Sequence, residues 1–337
     1  MTALPFDIAT LWAFIIAFAV FMYVVMDGFD LGLGMLFPLF PDKQDRDVMM
    51  NTVAPVWDGN ETWLVLGGGG LMAAFPLAYA VLMPALYTPI IAMLIGLIFR
   101  GVAFEFRWRT ASERNRWDAA FFGGSLLAAL AQGIALGAIL QGVQVEGRAY
   151  AGGWWDWLTP FSILTGLAVV AGYGLLGATW LVMKTDGSLR DRAYRLSGIL
   201  LVATLLAIVA VSAATPFLQA DYWRRWFEWP NILFTAPIPL AVALVTLALF
   251  TSLARRQDRR PFLLTLVLFA LTYAGLGVSL YPYIVPQSIT IHQAAAPDNS
   301  LAFMIVGVAV LVPLILGYTA WAYWVFRGKV DASSGYH

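Results

Sequence analysis

Nine apolar runs of about 20 residues or more follow one another along this chain, roughly at 8–37, 52–78, 81–104, 119–143, 161–183, 196–217, 234–253, 262–284 and 300–326. An α-helix rises about 1.5 Å per residue, so each run can cross a hydrocarbon layer about 30 Å thick. The runs are apolar on every side and do not alternate, which excludes the tilted strands of a membrane barrel. Composition agrees: 61% of the 337 residues are apolar and 12% are charged, against about 25% charged in soluble domains. So few charges could not cover a soluble globule of this length. The sequence predicts an all-α integral membrane protein with about nine transmembrane helices. No Pro-, Gly- or Ser-rich linker and no fixed-period repeat divides it, so 1–337 reads as a single polytopic domain.

Several function classes drop out. Twenty basic and twenty acidic residues leave no net charge, which argues against a nucleic-acid partner. Without cysteine there are no disulfides, thiolate zinc sites, iron–sulfur clusters or thiol nucleophiles. The two histidines, His292 and His337, lie in a loop and at the last position. With no imidazole inside a run, the chain is not expected to ligate haem by itself. Met1–Asp7 has no basic stretch, and the run behind it is too long for a signal peptide. That run is expected to stay as the first membrane helix.

Loop charges set the orientation. With the N-terminus outside, in the periplasm, the inner segments hold sixteen Lys and Arg, among them Lys43, Arg46, Arg107, Arg114, Lys184, Arg190, Arg256 and Lys329. The outer segments hold three: Arg148, Arg224 and Arg225. The C-terminus is therefore expected in the cytoplasm. Trp154, Trp155 and Trp157, and Tyr222, Trp223, Trp226 and Trp229, read as interfacial aromatic belts. Gly28/Gly32, Gly133/Gly137 and the run Gly67–Gly70 suit close helix packing.

Ionisable side chains inside membrane runs are costly and mark function by default. Here they crowd into the first third of the chain, within 8–107: Asp27 and Asp30, Asp58 and Glu61, Arg100 and Glu105. The directions of the first three runs place all six in the inner half. Asp27 and Asp30 share a helix face, as do Asp58 and Glu61. Five carboxylates face one guanidinium, and they cannot all remain ionised in a low-dielectric site. Asp30 and Arg100 are expected to form a buried pair. Asp58 and Glu61, beside Trp57, Asn60 and Trp63, are candidates for a proton path, with Asp27 and Glu105 as further members. The bland reading puts Asp27 and Glu105 against lipid headgroups and makes the pair structural.

At these positions the text becomes familiar. DGFDLGLG at Asp27–Gly34, NTVAPVWDGNETWLV from Asn51, FRGVAFEFR at Phe99–Arg107, YPYIVP at Tyr281–Pro286 and YTAWAYWVF at Tyr318–Phe326 resemble subunit II of cytochrome bd-type quinol oxidases. The resemblance spans nearly the whole chain. It implies a heterodimer in the bacterial inner membrane, in which a subunit I carries the haem b and haem d groups and the quinol site. The complex would oxidise quinol, reduce dioxygen to water and take protons from the cytoplasm. In that family Asp58 matches a proton-path entrance, Trp63 a position associated with the oxygen route, and Asp30 and Arg100 typical buried charges. The resemblance leaves room for a structural quinone in this subunit and for small single-span subunits. Glu61 departs from the Gln of the best-known branch and is similar to the cyanide-insensitive branch. Two other functions stay open: a purely structural scaffold subunit, and a proton-coupled secondary transporter, although transporters favour midplane sites at repeat interfaces.

Overall fold

The computed structural model describes residues 7–109, 112 and 114–330. The chain runs through α1 (Ile8–Leu36), α2 (Lys43–Asn51), α3 (Trp57–Ala74), α4 (Pro76–Ala85), α5 (Tyr87–Arg109), α6 (Arg114–Gln141) and α7 (Pro160–Lys184). It continues through α8 (Gly187–Leu218), α9 (Ala220–Phe227), α10 (Asn231–Thr235), α11 (Pro237–Ala254), α12 (Arg260–Leu280), α13 (Ile291–Ala294) and α14 (Asp298–Val325). Two small antiparallel ladders decorate one end, β1 (Val145–Glu146) with β2 (Ala149–Tyr150) and β3 (Tyr283–Val285) with β4 (Ile289–Thr290).

Among the described residues, eight helices are long and apolar enough to cross a membrane: α1, α5, α6, α7, α8, α10 joined to α11, α12 and α14. The expected run at 52–78 is the one left out. It splits at Phe75, which takes an extended φ of −133° and ψ of 62°. The cause is Pro76, because the residue before a proline is driven out of the helical region while proline itself opens the next helix. What remains is α3, 18 residues long and carrying Asp58, Asn60 and Glu61. The third run also shifts. Residues 81–85 belong to α4, and the membrane helix is α5, which continues five residues beyond the expected end at 104.

Side-chain caps open α1 and α7. Asp7 accepts from the Ala9 amide at 3.1 Å to open α1. Thr159 and Ser162, on either side of Pro160, exchange hydrogen bonds at 3.0 and 2.8 Å to open α7, a reciprocal cap for two otherwise unpaired donors.

Packing centres on α6 and α7, with α1 against both. α1 lies against α3, α6 and α7, α5 against α6, α6 against α7, and α7 against α8. Close approach is carried by glycine. A Cβ on Gly32 would run into the Tyr173 carbonyl of α7, and one on Gly96 would stand 2.6 Å from the Gly124 carbonyl of α6. Hydrocarbon gives helices no hydrophobic reason to associate, so such backbone approach replaces it. Of the glycine run, Gly67 and Gly70 meet Val20 and Ile16 of α1, whereas Gly68 and Gly69 face outward.

Four apolar cores result among the described residues, the two largest at opposite ends. One, at the arginine-rich end, gathers Phe29, Leu33, Phe37, Met50, Trp180 and Phe262. The other, at the opposite end, gathers Trp12, Phe75, Leu82, Val285, Ile291 and Leu301. Trp154, Trp155, Trp223 and Trp229 are exposed, as a belt requires, but Tyr222 is buried and donates to the Leu140 carbonyl at 3.0 Å.

Candidate functional site

The cluster is built where α1, α3 and α5 meet. Arg100 of α5 is 2% exposed; its Nη1 donates to Asp27 Oδ1 at 2.5 Å and its Nη2 to Glu61 Oε1. Asp30 takes a different partner. Its Oδ2 accepts from Asn60 Nδ2 at 2.8 Å, and Asn60 Oδ1 accepts from the Tyr323 hydroxyl of α14 at 2.9 Å. A second polar chain runs the other way: Tyr173 donates to Gln132 Oε1 at 2.7 Å, and Gln132 Nε2 donates to Tyr23 at 2.9 Å. Tyr23 stands one turn before Asp27 on α1. Asp27 Oδ2, Asp30 Oδ1 and Arg100 Nε are buried without a hydrogen-bond partner among the described residues.

The expected Asp30–Arg100 pair is therefore corrected. Arg100 lies nine residues, about 13 Å, from the end of α5, and Asp27 lies nine residues from the end of α1. The longer α5 lifts Arg100 one turn above Asp30, to the level of Asp27. Asp27 is thus fully buried and faces no headgroup.

The structure sorts the remaining candidates. Asp58 is exposed, one turn from Glu61 on α3, and Glu61 is 29% exposed. Glu105 is not drawn into the cluster: it is 58% exposed, 4.0 Å from Arg109. Trp63 is wholly buried, edge-on to Phe18 at 5.8 Å, and its indole N–H has no partner among the described residues. Trp57 stacks on Phe104 at 5.1 Å. These two rings, with Asp30, Val53, Arg100 and Phe121, line a narrow gap without room for a water molecule.

Sequence reading missed a second charged knot. Arg107, taken as a loop charge, is fully buried and bonds Asp118 at 2.5 Å and Asp47 at 2.6 Å, while Arg46 reaches Asp118 at 2.9 Å. The available signal was spacing: Arg100, Phe104 and Arg107 fall on one helix face. Gln132, Tyr23 and Tyr173 carried no comparable signal, since single polar residues in apolar runs are common.

A sequence model of the family described as cytochrome bd terminal oxidase subunit II matches residues 8–326. The chain belongs to that family. The cytochrome bd-I ubiquinol oxidase subunit 2 of Escherichia coli K12 is 31% identical, over 95% of this chain and 94% of that one. A probable cytochrome oxidase subunit 2 of Haemophilus influenzae is also 31% identical, over 96% and 95%. The cytochrome bd ubiquinol oxidase subunit 2 of Bacillus subtilis is 30% identical, over 95% and 96%. In fold, the chain is similar to a chain of the bd oxidase structure from Geobacillus thermodenitrificans, with a TM-score of 0.76, 19% identity, and 96% and 99% coverage. As a cytochrome bd subunit II, it is a multi-pass protein of the bacterial inner membrane and part of a quinol:oxygen oxidoreductase that includes a subunit I.

The oxidase complex uses haem, a group that needs axial donors to its iron. His292, the histidine among the described residues, is 64% exposed and pairs with Asp7 at 3.1 Å; His337 lies outside them. The cluster offers carboxylates, amides and phenols but no imidazole or thiolate. Histidine or cysteine ligation of haem therefore has no donor in the cluster.

Proposed function

We propose that this subunit admits protons to the oxidase through Asp58 and Glu61, and that its arginine-rich end faces the cytoplasm. The observation that carries the reading is the count at the cluster: three carboxyls, Asp27, Asp30 and Glu61, surround the single guanidinium of Arg100. Arg100 neutralises Asp27 and Glu61 directly, and Asp30 is served by an amide. A carboxyl without its own counter-charge, in a dry site, is the group able to hold and release a proton.

Asp58 supplies the connection outward. It is exposed at the first turn of α3, and one turn further in Glu61 is part-exposed and bonded to Arg100. A proton taken at Asp58 passes to Glu61 and then to the Arg100 cluster, where Asp30 is the receiving group. Asp27 is the fixed counter-ion and Glu105 stays a surface charge. Haem b, haem d, the quinol site and dioxygen reduction belong to subunit I, and α3 joins the eight long helices in a nine-span topology whose N-terminus is periplasmic. Trp57, Asn60 and Trp63 line the side of the site toward those haems. Family membership leaves the transporter reading without support.

The test uses the co-expressed complex. Asp58→Asn keeps haem content and slows steady-state oxygen consumption, because an amide cannot pass the proton on, while Glu61→Gln has the milder effect. Comparison with single-turnover electron transfer isolates the proton step. Unchanged consumption in an intact Asp58→Asn complex places proton uptake in subunit I and leaves this chain a scaffold.

A further inference from the structure

Lys184 closes α7 at the arginine-rich end, yet it is only 4% exposed. A lysine that served only to hold topology would keep its ammonium in water. Instead its Nζ donates to the carbonyls of Phe326 and, at 2.8 Å, Gly328. Its own carbonyl accepts from the Val330 amide at 2.8 Å. These are groups at and just past the end of α14, where a helix leaves carbonyls unpaired and presents partial negative charge. Lys329 reinforces the attachment from the surface, bonding Asp186 at 2.7 Å and Asp258 at 2.8 Å.

We infer that Lys184 is a positioning residue: by clamping the end of α14 it sets the Tyr323 hydroxyl on Asn60, the amide that serves Asp30. Two paths join Lys184 to Tyr323. Along α14, Tyr323 is three residues, less than one turn, before Phe326. Through space, the ammonium lies 5.3 Å from the Trp180 ring, which meets the Tyr323 ring at 6.2 Å. Trp180 is itself fixed, stacked on Phe29 at 4.3 Å and donating to Thr52 Oγ1 at 3.1 Å. Packing holds α14 lightly: Leu301 alone of its residues is fully buried, and Tyr323 is half-buried against Phe29 and Trp180. The clamp supplies what the helix surface lacks. This inference rests on the proposed role of Asp30.

Infrared difference spectra of the oxidised and reduced complex test it. The Asp30 signal is the one lost in Asp30→Asn. Tyr323→Phe shifts that signal; Lys184→Met shifts it in the same direction and by a similar amount, and the double variant adds nothing further. Lys184→Arg, which keeps the donors, returns it. Should Lys184→Met not assemble, Lys184→Gln gives a smaller shift of the same sign. The assignment is overturned if Asp30→Asn removes no signal, or if the lysine variants leave it in place. A shift seen while Asp58→Asn respires normally keeps the positioning role and removes the proton-entrance reading.

Discussion

α7 and α14 are apolar helices of 25 and 28 residues, but they sit in the fold in opposite ways. The chain buries 61% of the apolar window of α7 and 6% of that of α14. α7 carries Gly166, Gly172, Gly174 and Gly177 and is met by α1, α6 and α8. α14 presents Phe303, Val306, Val310, Leu314 and Trp321 outward. It is tied by polar bonds: Trp12 donates to the Leu301 carbonyl at 3.0 Å, Tyr323 bonds Asn60, and Lys184 holds its end. The less enclosed helix, α14, is the more apolar of the two. Where lipid is as apolar as leucine, small residues and hydrogen bonds decide which helix is enclosed.

The contrast breaks most severely at the helix crossings. Gly32→Leu should abolish the assembled complex, because its side chain meets α7 backbone; the cost exceeds the roughly 1–3 kcal/mol of ordinary overpacking. Gly307→Leu on α14, with nothing within 4 Å of its Cβ, should be silent. Size-exclusion yields of the two variants in detergent check both, and equal damage would abolish the distinction.

Next comes charge. Arg100→Ala leaves Asp27 buried without its counter-ion and should cost about 3–5 kcal/mol, read as a fall in thermal midpoint and complex yield. Arg256→Ala removes a surface pair with Asp191 and should cost under about 1 kcal/mol. Asp30→Asn, which keeps shape and a hydrogen bond, should fall between them.

The smallest effect is a pH dependence at the attachment of α14. The Lys329 hydrogen bond holds the Asp258 carboxyl below its ordinary value of 3.8. Its contribution is therefore fully present above pH 3.8 and disappears as pH falls through the lower folded value. At an exposed site it amounts to no more than about 1 kcal/mol. The thermal midpoints of the parent and Asp258→Asn complexes should differ above that range and converge below it.

Much of this was legible in order along the chain. Asp27, Asp30, Glu61 and Arg100 stand out because charge in an apolar run is rare, and they do converge. The pairing was not legible, since it turns on where α5 ends, and a basic stretch at 105–109 reads as loop in one dimension. Arg107 and Lys184 were hidden for the same reason. Both look like the positive charges that fix orientation, and only neighbours from other helices show that they are buried.

The sequence by itself determined the solvent, the helical class and the region where charge is concentrated, because each follows from local composition and period. It also carried the family, through long ordered strings from Asp27 to Phe326. Tertiary structure alone decided which carboxylate Arg100 meets, that Pro76 divides the second run, and that a terminal lysine reaches across to α14. Those outcomes depend on the relative height and rotation of helices far apart in sequence. Helix height and rotation are set by glycine contacts and hydrogen bonds that no single segment contains.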